Sequence, residues 1–257
     1  MSVTEYAGGA VLVENAPIAR ITLNAPKKRN AISQEMWQAL PTICGALGTA
    51  RVVILSGTGG HFSAGADIGE FDQVYADPGS IRSANAAVRD AQQAVATLPC
   101  PVIAAIDGVC VGGGCGLALH ADLRFASTNS RFAITPAKLG LAYSYEDTAR
   151  LVQTVGLSAA KDILLSARLV DANEALRIGL VDRVVPPEDL AGAVQAYANT
   201  LAGLSRESLA IAKATIAATQ SGGPDEALRT RFDRSFSGSD FSEGVAAFKA
   251  KRKPVFP

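Results

Sequence analysis

Residues 102–122, VIAAIDGVCVGGGCGLALHAD, constrain the fold of this chain more than any other segment. The β-branched and apolar run at 102–107 is typical of a strand covered on both faces. A glycine-rich turn (108–114) and a helix of small residues (about 115–120) follow it. The start of a helix presents unpaired N–H groups and the positive end of its dipole. This junction therefore predicts a site for an anion, either a bound phosphate or an oxyanion of a transition state. The alternative is a tight corner that needs glycine only for steric reasons.

The composition restricts the class of protein. The chain has 257 residues, of which 48% are hydrophobic and 19% charged, with 24 acidic and 24 basic side chains. This balance indicates a soluble globular protein without a nucleic-acid partner. No apolar run approaches the ~20 residues of a membrane span, and the first residues lack the pattern of a signal peptide. We therefore expect a cytoplasmic protein that binds no membrane.

The residues with the strongest metal-binding chemistry are few. The chain contains four cysteines and two histidines: Cys44, Cys100, Cys110, Cys115, His61 and His120. None of them forms a CxxC pair or a cluster with metal-ligand spacing, so we predict no metal site and reduced, buried thiols. A catalytic pair of Cys115 with His120 on one helix is an alternative.

The hydrophobic pattern alternates strand and helix over the first two thirds of the chain. Strands are predicted at Val11–Glu14, 20–24, 51–56, 123–126, 131–134 and 180–185, and helices at 33–47, 81–98, 145–155, 158–165 and 172–178. Such alternation indicates right-handed βαβ units. From residue 188 the pattern is helical. We predict an α/β core over residues 1–190 and a C-terminal helical region over residues 191–257, packed on that core or on a neighbouring subunit.

Several segments, in the same order along the chain, resemble the crotonase (enoyl-CoA hydratase/isomerase) superfamily. HFSAGADI (61–68) and IDGVCVGGGCGLALHADLRFAS (106–127) are similar to its two signature segments. NAPKKRNAIS (24–33) resembles its basic opening loop, SARLVDANEALRIGLVDRVVP (166–186) a later helix–strand segment, and FSEGVAAFKAKRKPVF (241–256) its C-terminal signature. The resemblance therefore covers nearly the whole chain.

The resemblance implies an α/β fold of repeated ββα units in two stacked sheets, with C-terminal helices that build a homotrimer or a hexamer of two trimers. It also implies an acyl-CoA thioester substrate, as in fatty acid metabolism, with coenzyme A as part of the substrate and no permanently bound cofactor. By motif, the backbone N–H groups of Ala66 and Gly113 match the two donors that bind the thioester oxygen and stabilise an enolate.

The residues that bind coenzyme A also follow from the resemblance. Lys27, Lys28 and Arg29 match positions that supply positive charge for the phosphates. Four further positions match those that surround the adenine and the start of pantetheine: Ala31, Ala64, Asp67 and Ile68. Phe232 and Lys251 match C-terminal positions that reach coenzyme A, in some relatives from the adjacent subunit. For a single basic residue a solvated charge is the alternative, and Asp67 is also suited to capping a helix.

The chain departs from the family at its proton-transfer positions. Gly116 and Pro136 stand where family hydratases have two glutamates, and Ser144 stands where isomerases have an acid. We therefore expect no standard two-glutamate hydration, because that reaction needs the acid–base pair. TPAKLGLAYS (135–144) resembles the methylmalonyl-CoA decarboxylase branch, in which a tyrosine matches Tyr143. That branch has histidine in place of Ala66.

Two alternatives remain open beside a decarboxylase or another lyase. Glu146 or Asp147 directs a carboxylate into the pocket of an atypical hydratase or isomerase, unless these acids serve only the dipole of their helix. Alternatively, the protein is a non-catalytic acyl-CoA-binding subunit. The predicted catalytic residues are Ala66, Gly113, Tyr143 and Glu146, in an acyl-CoA lyase or isomerase.

Overall fold

The structure is a computed structural model that describes residues 2–220 and 222–257. In chain order its strands are β1 (Val3–Tyr6), β2 (Val11–Glu14), β3 (Ile18–Leu23), β4 (Val52–Gly57), β5 (Val102–Ile106), β6 (Val109–Val111), β7 (Leu123–Ser127), β8 (Arg131–Ala133), β9 (Val170–Asp171) and β10 (Arg183–Val185). Its α-helices are α1 (Gln34–Ala46), α2 (Phe71–Val74), α3 (Pro78–Ala96), α4 (Gly113–Leu119), α5 (Tyr145–Ser166), α6 (Ala172–Arg177), α7 (Pro187–Ala202), α8 (Arg206–Ala218), α9 (Glu226–Ser235) and α10 (Ser239–Lys249). Short 3₁₀ helices occupy Ala7–Gly9, Pro26–Lys28, Ile68–Glu70 and Pro136–Leu139.

Two sheets organise these strands. The larger sheet has the order β1-β2-β3-β4-β5-β7-β10 and the smaller one the order β6-β8-β9. β1, β2 and β3 pair antiparallel, and from β3 to β10 the larger sheet is parallel. In the smaller sheet β6 and β8 are parallel, whereas β9 runs antiparallel to β8. This arrangement confirms the predicted α/β fold with two sheets.

The central strands are buried on both faces, as their continuous apolar runs predict. Successive residues of β4 belong to different sides of the sheet, since side chains alternate along a strand. Val53 and Leu55 pack in the main core with α1 and α3, whereas Val52 and Ile54 pack with α7 on the opposite face. Helices therefore cover both faces, which is the usual environment of parallel strands.

The predicted start of α1 agrees with the structure, whereas α3 begins three residues before the predicted residue 81, after the capping side chain of Asp77. Ser33 caps α1 by accepting a hydrogen bond from the Met36 amide at 3.2 Å. Two further predictions differ from the structure. The segment 108–114, predicted as a turn, contains the strand β6. The two helices predicted at 145–155 and 158–165 are consecutive parts of one element, α5. Gly156, with φ of +77°, interrupts the helical conformation between them.

The C-terminal helices extend from the core. α7 buries Leu190, Val194 and Ala198 against the larger sheet, so the predicted division at residue 190 falls inside a helix that belongs to the packed core.

Farther along the chain, α9, α10 and the last residues form an apolar groove of about 760 Å³. Its lining includes the exposed side chains of Phe236, Phe241 and Phe248. Among the described residues, no helix is both long and apolar enough to cross a membrane.

Candidate active site

A cavity of about 440 Å³ lies where the two predicted glycine-rich turns meet. One wall is the loop that contains Ala66, and a second is the start of α4 at Gly113. The face of α3 and the segment that leads into α5 close the remaining sides. The cavity therefore gathers parts of the chain that are far apart in sequence.

Backbone pairing holds the two glycine-rich loops together. Ser63 and Cys110 form a parallel bridge, in which the Val111 amide donates to the Ser63 carbonyl at 2.9 Å. Ile32 bridges Ala66 in the same way on the other side of the loop. A side chain at Gly65 would come within 2.8 Å of the Val111 carbonyl oxygen, so only glycine permits this close approach.

The amides of Ala66 and Gly113 lie side by side in this cavity. A methyl group at Gly113 would be 3.7 Å from the Ala66 nitrogen, which shows how near the two backbones are. Within residues 2–220 and 222–257, neither N–H has a hydrogen-bond partner. Gly112 turns the chain into α4 with φ of +53°, which favours glycine at this position. Two residues with unpaired N–H donors therefore line the same cavity.

Tyr143 lies beside this pair of amides. Its hydroxyl donates to the carbonyl of Gly112 at 3.3 Å, directly before the Gly113 amide. Burial raises the pKa of the Tyr143 phenol well above its usual value, so the hydroxyl keeps its proton at neutral pH. Tyr143 is thus a hydrogen-bond donor at the edge of the site.

Asp147 is the carboxylate inside the cavity. Its side chain is buried in the first turn of α5 and accepts hydrogen bonds from Gln92 Nε2 at 2.9 Å and from Ser144 Oγ at 3.0 Å. Burial raises the pKa of this carboxyl to about 6, although both hydrogen bonds act to lower it. The group therefore exchanges a proton near neutral pH.

Glu146 lies at the exposed rim of the same cavity. Adjacent residues of an α-helix point about 100° apart, so only one of the two acids can face the interior. The sequence predicts the catalytic role for Glu146 and leaves Asp147 as an alternative. The structure puts Asp147, and not Glu146, in contact with the buried polar groups. Asp147 precedes the fully buried Leu151 by four residues, so the two side chains lie on the same face of the helix. This spacing is the signal that distinguishes Asp147 from Glu146.

His120 approaches Asp147 without forming an ion pair. Its Nδ1 donates to the Gly116 carbonyl at 2.7 Å, and the same nitrogen is 4.0 Å from Asp147 Oδ1. Burial lowers the pKa of His120 to about 4, so the ring is neutral at pH 7. The Cys115 thiol donates to the Cys110 carbonyl at 2.8 Å, so the alternative of a Cys115–His120 pair finds no contact to support it.

The residues predicted to bind coenzyme A divide into two groups. Ala64 and Ile68 line the cavity together with Ala66. Lys28 is already paired with Asp67 at 2.5 Å, and this hydrogen bond raises the pKa of Lys28. Asp67 also accepts from the Gly69 amide at 3.1 Å, as a helix cap does.

The other predicted contacts differ in position. Lys27 and Arg29 are exposed on the loop beside Lys28, and Ala31 is half-buried behind it. Phe232 lines a separate groove between α8 and α9, and Lys251 is exposed after α10. Within this single chain, the structure does not bring Phe232 or Lys251 to the cavity.

The chain is similar to known proteins along nearly its whole length. The enoyl-CoA hydratase/isomerase family model matches residues 13–257. The short-chain-enoyl-CoA hydratase of Clostridium acetobutylicum is 32% identical over 250 residues, which cover 95% of each chain. The crystal structure of an enoyl-CoA hydratase/carnithine racemase from Magnetospirillum magneticum has a TM-score of 0.92 and 36% identity, covering 96% of this chain and 95% of that one. The crystal structure of an enoyl-CoA hydratase from Bacillus anthracis has a TM-score of 0.89 and 30% identity, covering 96% of this chain and 98% of that one.

Proposed function

Because the chain belongs to the enoyl-CoA hydratase/isomerase family and is an acyl-CoA-processing enzyme, we propose that it stabilises the enolate of an acyl-CoA thioester. The thioester oxygen accepts hydrogen bonds from the N–H groups of Ala66 and Gly113. The observation that carries this proposal is the pair of unpartnered amides that face one cavity. Backbone donors aimed at a developing oxyanion need little reorganisation, and loss of one typically costs about 10²–10³ in rate.

Coenzyme A enters this proposal as part of the substrate. Its phosphates are anionic, and the exposed side chains of Lys27 and Arg29 supply positive charge next to the cavity. Lys28 contributes less, because Asp67 already neutralises it. The acyl group occupies the space between α3 and the start of α5, where Val88, Leu141 and Tyr143 provide apolar surface.

Among the reactions of an enolate, we favour movement of a double bond by proton transfer. A proton leaves the α-carbon of a 3-enoyl thioester, the C–H electron pair enters the enolate, and the proton returns at the γ-carbon. No other reactant is needed. The buried carboxylate of Asp147 supports this choice, since it is mostly ionised at pH 7 and repels a substrate that carries its own carboxylate.

Decarboxylation is the second candidate function. The observation that favours it is the protonated hydroxyl of Tyr143 at the edge of the site. Once its O–H turns from the Gly112 carbonyl to the substrate, this group can orient a substrate carboxylate or protonate the enolate after carbon dioxide leaves.

Three thioesters distinguish the candidates. A 3-enoyl-CoA reports isomerisation, crotonyl-CoA reports water addition by loss of enoyl absorbance, and a 2-carboxyacyl-CoA reports release of carbon dioxide. We expect turnover of the first. Dominant turnover of either of the others overturns the isomerisation proposal, and binding without turnover of all three indicates an acyl-CoA-binding subunit.

A pair of variants tests the role of the amides. Gly113→Pro removes the N–H at a helix position where proline is tolerated, whereas Gly113→Ala keeps it. Both add a carbon about 3.2 Å from the Trp37 ring, so this contact is matched. We expect Gly113→Pro to lower the rate about 10²–10³-fold relative to Gly113→Ala. Equal rates would show that this amide does not stabilise the enolate.

We also propose that copies of the chain associate as a homotrimer or hexamer through the C-terminal groove. Phe236, Phe241 and Phe248 expose large apolar surfaces there, and such patches are uncommon on monomers. Light scattering on the purified protein should give the mass of three or six chains. A monomer would refute this association.

A further inference from the structure

The carboxylate of Asp147 lines the same cavity as Ala66 and Gly113, whose amides the proposed function assigns to the thioester oxygen. Gly116 follows Gly113 by three residues on α4, a rise of about 4.5 Å along the helix. A Cβ atom at Gly116 would be only 2.6 Å from Asp147 Oδ1. The carboxylate, although it belongs to α5, therefore occupies the space into which a side chain at 116 would project.

The surrounding side chains orient this carboxylate and leave it able to accept a proton. Gln92 on α3 donates to one oxygen and Ser144 donates to the other. A carboxylate accepts about four hydrogen bonds, so one acceptor site remains on each oxygen. Ser144 also accepts from the Asp147 amide at 3.0 Å, which ties the acid to the start of its helix. Hydrogen bonds from two different elements thus hold Asp147 in one orientation.

No cation neutralises Asp147 among the residues that the structure describes. His120, directly after α4, is the nearest basic group and is neutral at pH 7, and Tyr143 keeps its proton. Arg89 on α3 also lines the cavity but forms no ion pair with this carboxylate. The charge of Glu146 on the same helix raises the pKa of Asp147, and Arg150 acts on His120 rather than on the carboxyl. A base whose pKa lies near the working pH is the most effective in proton transfer.

We infer that Asp147 is the catalytic base and acid of this site, working from α5 in the space left open by Gly116. The inference rests on the proposed function. The carboxylate takes the α-proton of the bound thioester, the C–H electron pair enters the enolate held by Ala66 and Gly113, and the protonated acid returns the proton to carbon. Gln92 and Ser144 are positioning residues, since they act through the carboxylate.

The α-proton exchange of butyryl-CoA in deuterium oxide, followed by mass spectrometry, measures this step without a complete reaction. We expect Asp147→Asn to reduce exchange at least 10²-fold while binding of butyryl-CoA is retained. Asp171→Asn is the control, because it changes an exposed helix cap to another good cap outside the cavity. The exchange rate of the unaltered protein should rise with pH through about 6, and that rise should vanish in Asp147→Asn.

A relocation experiment separates chemistry from folding. Asp147→Gly alone should lose exchange. The triple variant Gly116→Glu, Gln92→Ala and Asp147→Gly should recover it at least tenfold, because it returns a carboxylate to the same space from α4 and removes both side chains that a residue at 116 would meet. Exchange that survives Asp147→Asn, or that is lost with Glu146→Gln instead, overturns the assignment while the proposed function stands. Absence of exchange by the unaltered protein with butyryl-CoA bound overturns both.

Discussion

Gly116→Ala is a small change that tests whether Asp147 and Gln92 occupy the space beside α4. The added methyl carbon would lie 2.5 Å from Gln92 Nε2 and 2.6 Å from Asp147 Oδ1, whereas ordinary contacts begin at 3.4 Å. These two atoms are hydrogen-bonded to each other at 2.9 Å and are buried, so neither can move into solvent. The methyl group must separate them or displace a helix.

The size of the effect follows from two costs and one gain. Overpacking a core typically costs about 1–3 kcal/mol, and weakening a hydrogen bond to a buried charged group costs about 1–3 kcal/mol. Replacing glycine by alanine inside a helix gains up to about 1 kcal/mol. We expect Gly116→Ala to lower the free energy of unfolding by about 2–3 kcal/mol, a loss comparable to that of many core substitutions.

Urea unfolding followed by circular dichroism measures this loss through the transition midpoint. Gly192→Ala is the matched control, since Gly192 is an exposed position within α7 and nothing lies within 4 Å of the added carbon. That variant should gain about 0.5–1 kcal/mol. If Gly116→Ala is as stable as Gly192→Ala, the close approach of Asp147 to α4 is refuted.

Two further outcomes concern the same carboxylate. Replacing Gln92 by Leu removes a hydrogen-bond donor that lowers the pKa of Asp147. The rise of the α-proton exchange rate with pH should therefore move to higher pH. Gln93→Leu, on the exposed side of the same helix, should leave the pH dependence unchanged. The raised pKa of Asp147 also makes the folded state bind a proton that the unfolded state has released. Stability should therefore fall as pH rises from about 4 to about 6, and Asp147→Asn should remove about 2 kcal/mol of that fall in urea titrations at both pH values. An identical pH dependence in the variant would contradict the burial of this acid.

Local patterns identified most of the secondary structure. The strands β4 and β5 were predictable because their apolar runs are continuous, and Ser33 marked the start of α1 through its side chain. β6 was missed because a three-residue strand within a glycine-rich segment is defined by its partner, and that partner is β8. Such pairings are tertiary properties.

The candidate site was predictable in part. The glycine-rich turn and helix start pointed to an anion site, because unpaired helix-start amides are a local feature, and the resemblance to the family then assigned the donors to Ala66 and Gly113. Asp147 and Glu146 both occupy the first turn of one helix, and the sequence separates them only weakly, through the apolar Leu151 one turn after Asp147. The preference for decarboxylation rested on the missing carboxylates at Gly116, Pro136 and Ser144. Matching position by position with the family could not detect a carboxylate that a different element brings into the same space.

The sequence by itself determined the fold class, the family and the two loops whose amides face the cavity, because strand patterning, glycine requirements and motif order are properties of contiguous residues. Only the tertiary structure decided which acid enters the cavity. The absence of a side chain at Gly116 and the presence of Asp147 are separate facts along the chain, and they become one feature only where α4 and α5 pack together.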